Sequence, residues 1–193
     1  MEEIRENLNS LLEKEGLMRG EVVLNHINFI KQKEGQDGVE RIKRSFEELD
    51  NSLDLNIDPM DWKNVSIGSV ITALSRDLFE WEKEDIKEMG RYAAKTLTVN
   101  KLMFREIPDL DSLIDKVGDY WKAVINAGQL SVKSKSITER EVELKLEGFN
   151  YHPLDFLFIS GYIEVVFNLF TNEEVSVKHN LQNEVCNFLI TWN

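Results

Sequence analysis

Cysteine and histidine are scarce in this sequence. Its 193 residues hold one Cys and three His. A single thiol, Cys186, excludes an intramolecular disulfide and any zinc site built on several cysteines. His26, His152 and His179 are too widely separated to show metal-ligand spacing. Proline numbers 3 and glycine 10, which fits neither a disordered nor a collagen-like chain. Cations are outnumbered: 23 Lys and Arg stand against 35 Asp and Glu, for a net charge of −12. That balance opposes a surface that tracks phosphates, so neither nucleic acid nor an anionic membrane is an expected partner. No uninterrupted apolar run approaches the ~20 residues of a membrane span. The opening MEEIRENLNS is acidic and amphipathic and does not read as a secretory signal, so a cytoplasmic location is expected.

Catalytic signatures are missing as well. There is no Gly-x-Ser-x-Gly elbow, glycine-rich phosphate loop or dinucleotide fingerprint. Ser160-Gly161 lies inside an apolar segment and reads as a close-packing pair. Glu80, Glu82, Glu84 and Asp85 crowd one connection with no His among them, which reads as a solvated acidic surface. No metal is expected and no enzyme; a hydrolase or metal enzyme is the least favoured reading.

What the chain does have is apolar mass: 42% hydrophobic residues, with 10 Phe, 4 Trp and 4 Tyr. In the first half the apolar residues recur at helical spacing. Ile4, Leu8, Leu11 and Leu12 give a helix over about 2–17. Val22, Val23, His26, Ile27 and Ile30 give a second over 20–33, broken at Gly35. Val39, Ile42, Phe46 and Leu49 give a third over 37–49. Asp58-Pro59 predicts a short helix start, since Asp can cap and Pro suits the first helical position. Further helices are expected from about Ser66, over 83–98 and over 110–127. The last carries Leu110, Leu113, Ile114, Val117, Trp121 and Val124 and is closed by Gly128.

From Leu130 onward the period becomes two. Leu130 and Val132, then Val142, Leu144 and Leu146, alternate with polar neighbours and predict a strand pair joined near 134–139. Pro153 to Phe170 is too long for a strand and reads as a buried helix. Strands over about 174–179 and 184–192 close the sequence, with Cys186, Phe188, Ile190 and Trp192 on one face. Helices followed by β-β-α-β-β predict an α+β fold, an antiparallel sheet packed against helices.

In this order the residues resemble a family. Met18-Arg19-Gly20-Glu21-Val22-Val23-Leu24-Asn25-His26-Ile27, the turn at Gly35-Gln36-Asp37-Gly38 and the Gly90-Arg91 pair resemble heme nitric-oxide/oxygen-binding (H-NOX) sensor domains. The close Cys186-Asn187-Phe188-Leu189-Ile190-Thr191-Trp192 resembles sensor domains of the vinyl-reductase type, which share one architecture with H-NOX domains and transport-protein-particle subunits. The resemblance covers about 18–192. It implies an added helix over 1–17 and one domain of H-NOX or vinyl-reductase type over 18–193, mainly helical to 128 and sheet plus helix beyond. Heme members place a proximal His before the first strand and a Tyr-x-Ser-x-Arg motif on the propionates. Here 110–127 holds no His, with Gly118, Asp119 and Tyr120 in that region. Gly148-Phe149-Asn150-Tyr151-His152-Pro153 lacks the Ser-x-Arg; Tyr151 alone could ligate iron, but without the propionate clamp. By this resemblance heme is not expected.

Candidate pocket residues follow. Tyr120, Trp121, Tyr162, Phe167 and Phe170 lie on the two helices that should flank the sheet, serving either as core or as the lining of a pocket for a small apolar or aromatic molecule. His26 falls where heme sensors line the distal side, and is either a polar ligand contact or a buried His with a backbone partner. His152 reads as a cap, His179 as exposed, and Cys186 as a small buried hydrophobe. The expected function is a heme-free, non-enzymatic sensory or regulatory domain that binds a small molecule and signals through a partner. The alternative is a ligand-free homodimer or adaptor using the first helix or the face of the second.

Overall fold

The computed structural model describes residues 8, 10–49, 56–149 and 152–193. Residues 8 and 10–12 are helical, with Leu8 and Leu11 buried; 13–16 are turn and loop, so the helix ends before the expected bound of about 17. The part of it over 1–7 and 9, like Tyr151, lies outside the described residues. The chain then forms β1 (Leu17–Arg19) and α1 (Gly20–Glu47). Gly35, whose φ of 73° and ψ of −173° are not helical, interrupts α1, so the element is two helical segments joined at a kink, with the break where the sequence predicts it. Its inner face belongs to the core: Val23, Ile30, Ile42 and Phe46 are fully buried. That face is filled by the core of the chain itself.

Asp58-Pro59 does not start a helix. The Asp58 carboxylate accepts from the Met60 N–H at 2.8 Å, closing a turn. The chain then enters β2 (Trp62–Asn64), antiparallel to β1 with Arg19 opposite Trp62. Two elements too short to show periodicity thus pair across the whole length of α1. α2 (Ser66–Phe79) is buried along most of its length and carries Thr72 and Ser75, whose hydroxyls donate to the carbonyls of Gly68 and Ile71. Such back-bonding lets polar residues sit in a dry helix. α3 (Lys83–Thr96) starts with a capping box in which Glu82 and Asp85 each accept from the other's backbone N–H. α4 (Thr98–Phe104) follows, unsignalled by the sequence pattern.

The expected helix over 110–127 is two helices. α5 (Leu110–Asp115) and α6 (Val117–Val124) are separated at Lys116, with φ −106° and ψ 6°. α6 then lies close against the sheet, where a Cβ on Gly118 would be 2.9 Å from the Leu130 carbonyl oxygen. α6 also ends at Val124, before Gly128. Ile125 bridges to Met18, Asn126 N–H donates to Leu17 O, and Leu17 N–H donates to Asn126 Oδ1 at 2.6 Å. Pairing with β1 therefore draws the chain out of the helix.

β3 (Gln129–Ser136), β4 (Glu141–Glu147), α7 (Pro153–Thr171), β5 (Val175–Gln182) and β6 (Val185–Trp192) complete the fold. The four strands form one antiparallel sheet in the order β3-β4-β6-β5, as the alternation predicts. Register sets Val142, Leu144 and Leu146 opposite Ile190, Phe188 and Cys186. All six are buried, while Glu141, Glu143 and Lys145 occupy the other face. Among the described residues α7 alone is long and apolar enough to cross a membrane. Here it is the central core helix, packed between α3 and the sheet. Gly90 and Gly161 allow the closest approach, and Glu164 then accepts from Lys87 Nζ at 2.5 Å and from Arg91 Nη2 at 2.6 Å.

Candidate functional site

Helical spacing on two facing helices builds a cavity. α6 presents Val117, Tyr120, Trp121 and Val124, at i, i+3, i+4 and i+7. α7 presents Ile159, Tyr162, Ile163 and Val166 with the same steps, flanked by Phe158 and Phe167. Leu144 of the sheet, Val22 of α1 and Phe104 of α4 close the remaining sides of a partly open space of about 80 Å³. Among the described residues the lining contains no His, Cys, Met, Lys, Arg, Asp or Glu.

Tyr120, Trp121, Tyr162 and Phe167, all expected as pocket residues, meet on this one wall. Trp121 is fixed by two contacts. Its indole N–H donates to the Ala127 carbonyl at 2.9 Å, and its ring stands edge-on to Phe149 with centroids 5.6 Å apart. Tyr120 is edge-on to Phe104 at 6.1 Å. Partial burial, with the Asp119 carboxylate beside it, holds its phenol above the usual range. Phe170 is not on the wall; it packs edge-on against the outer side of Phe104 at 5.7 Å.

His26 is the exception. It sits behind the wall, stacked on Phe158 with centroids 4.5 Å apart and planes 19° apart. Its Nδ1–H donates to the Val22 carbonyl at 2.8 Å, and burial pushes its pKa down to about 4. It is a neutral core histidine that backs the cavity, not a polar group within it. Val22, one turn earlier, takes the place on the wall.

The remaining histidines and the cysteine have structural partners too. His152 caps α7, its Nδ1 accepting from Leu154 N–H at 3.3 Å, as its place before Pro153 suggests. His179 is not exposed. It packs between Phe156 and Phe188, with Nδ1 2.9 Å from Ser160 Oγ. Ser160 Oγ–H donates to the Phe156 carbonyl at 2.7 Å, so the histidine must be the donor to Oγ. A nitrogen already protonated cannot take the hydroxyl proton, and this pair is structural. Cys186 is fully buried, and desolvation pushes its thiol up to about 12, far from the reactive thiolate range. Among the described residues no cluster of His, Cys, Asp and Glu could hold a metal ion.

Three solved structures align with nearly the whole chain. An H-NOX protein mutant from K. algicida, Fe(II) and unliganded, superposes with a TM-score of 0.69 at 10% identity, covering 91% of this chain and 97% of that one. An H-NOX protein from S. oneidensis in the Fe(II)NO ligation state gives 0.68 at 12%, covering 91% and 99%. An oxygen-binding H-NOX domain related to soluble guanylate cyclases, in its oxygen complex, gives 0.62 at 18%, covering 91% and 95%. The chain has the H-NOX fold. No family model and no curated protein matches its sequence. At these identities the H-NOX likeness is one of backbone, with the side chains of the cavity this chain's own.

Sequence reasoning misses Val22, Leu97 and Phe104 of the wall. Val22 sits on a stripe that is otherwise core. Leu97 and Phe104 bracket a helix of seven residues, too short to reveal a face. The aromatic residues at helical spacing are the usable signal.

Proposed function

We propose that this chain is a heme-free sensory domain with an H-NOX fold, binding a small apolar or aromatic molecule in the cavity between α6 and α7. The carrying observation is the chemistry of that cavity: its lining is made of hydrocarbon and aromatic side chains. Iron in a porphyrin needs an axial His, Cys, Met or Tyr, tuned by its surroundings. Among the described residues the lining offers no His, Cys or Met, and it carries no Lys or Arg to meet a pair of carboxylates. A ligating tyrosine would have to ionise, and burial together with Asp119 opposes that at Tyr120. The nearest histidine candidate, His26, is turned to a backbone carbonyl behind Phe158. These residues do not fit heme. They do fit a small apolar molecule, which an apolar and aromatic wall binds by burial.

The neighbours of known structure include oxygen and Fe(II)NO complexes, which supports a sensory, small-molecule-binding role. Signalling then runs through a protein partner, without catalysis by the domain itself. Native mass spectrometry of the purified protein tests the reading: a carried small molecule, lost on filling the cavity, is the expected result. A Soret band, either as purified or after titration with hemin, would overturn the heme-free assignment.

A further inference from the structure

We infer that the cavity takes one uncharged molecule no larger than a single aromatic ring, admitted past Phe104. This inference rests on the ligand-binding reading above and narrows it in size, charge and route. The size follows from volume. The space is about 80 Å³, smaller than the ~150 Å³ apolar cavity that accepts benzene. One ring with slight yielding of the walls is therefore the upper bound, and fused rings do not enter.

Charge is excluded by the lining. No side chain on the wall is ionisable at neutral pH, and the Trp121 N–H is already bonded to Ala127. An ion left unpaired in such a space carries a large desolvation cost. Negative ligands meet a further obstacle at the mouth, where the Asp119 carboxylate neighbours Tyr120.

The route follows from exposure. Of the wall residues, Phe104, Val117, Tyr120, Trp121 and Tyr162 are half-exposed, and the others are buried. Trp121 is pinned by its hydrogen bond, and Tyr162 stands on the long core helix α7. Phe104 ends a helix of seven residues and is held by two edge-on rings, Tyr120 on the cavity side and Phe170 outside. It has no polar anchor to break when it swings. Leu102 and Leu169, 59% and 56% exposed, are apolar surface on the same two helices as Phe104 and Phe170.

The test is methyl NMR of the full chain titrated with toluene and, separately, with benzoate, which keeps the ring and adds a charge. Toluene is expected to shift the methyls of Val22, Val124, Ile163 and Val166. Benzoate is expected to bind weaker by roughly tenfold or more. Phe104→Ala should speed toluene exchange by roughly tenfold with a much smaller change in Kd; Phe104→Leu should act in the same direction and carries the test if the alanine variant does not fold. Equal binding of benzoate overturns the charge rule. Unchanged exchange in a folded Phe104 variant overturns the door. If toluene fails to bind while native mass spectrometry finds a carried molecule, this inference falls and the ligand-binding reading stands. If both fail, both fall.

Discussion

A Cβ on Gly161 would lie 2.0 Å from the carbonyl oxygen of Lys87. The obstacle is backbone, not the yielding end of a side chain, and Gly90 meets the Phe158 carbonyl in the same way at 1.9 Å. The α3–α7 crossing is therefore set by two missing side chains, and it fixes where α7 presents the cavity wall. Gly161→Ala is expected to destabilise the protein by about 3 kcal/mol or more, beyond its gain in helix propensity, because a packed crossing must open. Gly68→Ala is the control. There the nearest atom is the flexible end of Met18, at 3.1 Å, and the cost should stay below about 1 kcal/mol. Urea midpoints of the two variants decide the matter.

Asp155 gives the fold a pH dependence of unusual sign. Its carboxylate is buried and accepts from Ser69 Oγ at 2.6 Å and from His152 N–H at 3.0 Å. Burial outweighs these bonds and raises its pKa from 3.8 to about 6. The folded state then holds the proton more tightly than the unfolded chain. Asp155 thus contributes stability that is present below pH ~4 and lost as pH rises through about 6. His26 works in the opposite direction. With its folded pKa lowered to about 4, its contribution is present above 6.5 and lost as pH falls. The two slopes nearly cancel between about pH 4 and 6. Asp155→Asn keeps an acceptor for both bonds and removes one slope. Its stability relative to the parent should rise by about 2–3 kcal/mol from about pH 4 to pH 7, measured by urea unfolding across that range. A flat difference would refute the burial argument.

Wherever one element supplies its own pattern, the fold is legible in the sequence. The strands alternate cleanly because one face is wet, and α7 reads as buried because its apolar run is too long for a strand. Tyr120, Trp121, Tyr162 and Phe167 are legible for the same reason: helical spacing puts them on two facing stripes. What stays hidden depends on pairs distant in sequence. Leu17 and Asn126 exchange hydrogen bonds and end α6 early, and neither residue announces the other. Asp-Pro serves helix starts and turns alike, and only the pairing of Trp62 with Arg19 chooses the turn at Asp58. His26 lies one turn from the wall residue Val22, since a helical stripe gives the buried face without saying which residue meets a cavity and which meets the core.

Cys186 makes a kinetic prediction. Fully buried, with its thiol pushed up to about 12, it should resist iodoacetamide at about pH 8 in the native state and react at the rate of a free thiol in urea. Between those limits the labelling rate should track the population of open molecules. Rapid native labelling would mean that the β6–α7 interface opens on its own, and would make this residue a reactive group after all.

The cavity itself is a stability cost that function would explain. Large-to-small substitutions in other cores cost about 24 cal/mol per Å³ of empty volume. Applied to about 80 Å³, that is at most about 2 kcal/mol, an upper bound because the space is partly open. Val166 sits on the wall one turn from Tyr162 and Ile163, and Val166→Phe adds a ring toward that space. The variant is expected to be more stable than the parent by up to about 2 kcal/mol and to lose toluene binding altogether. Gained stability with lost binding identifies a cavity maintained against the packing preference of the core. A destabilised variant that still binds toluene would place the ligand elsewhere and remove the argument for this wall.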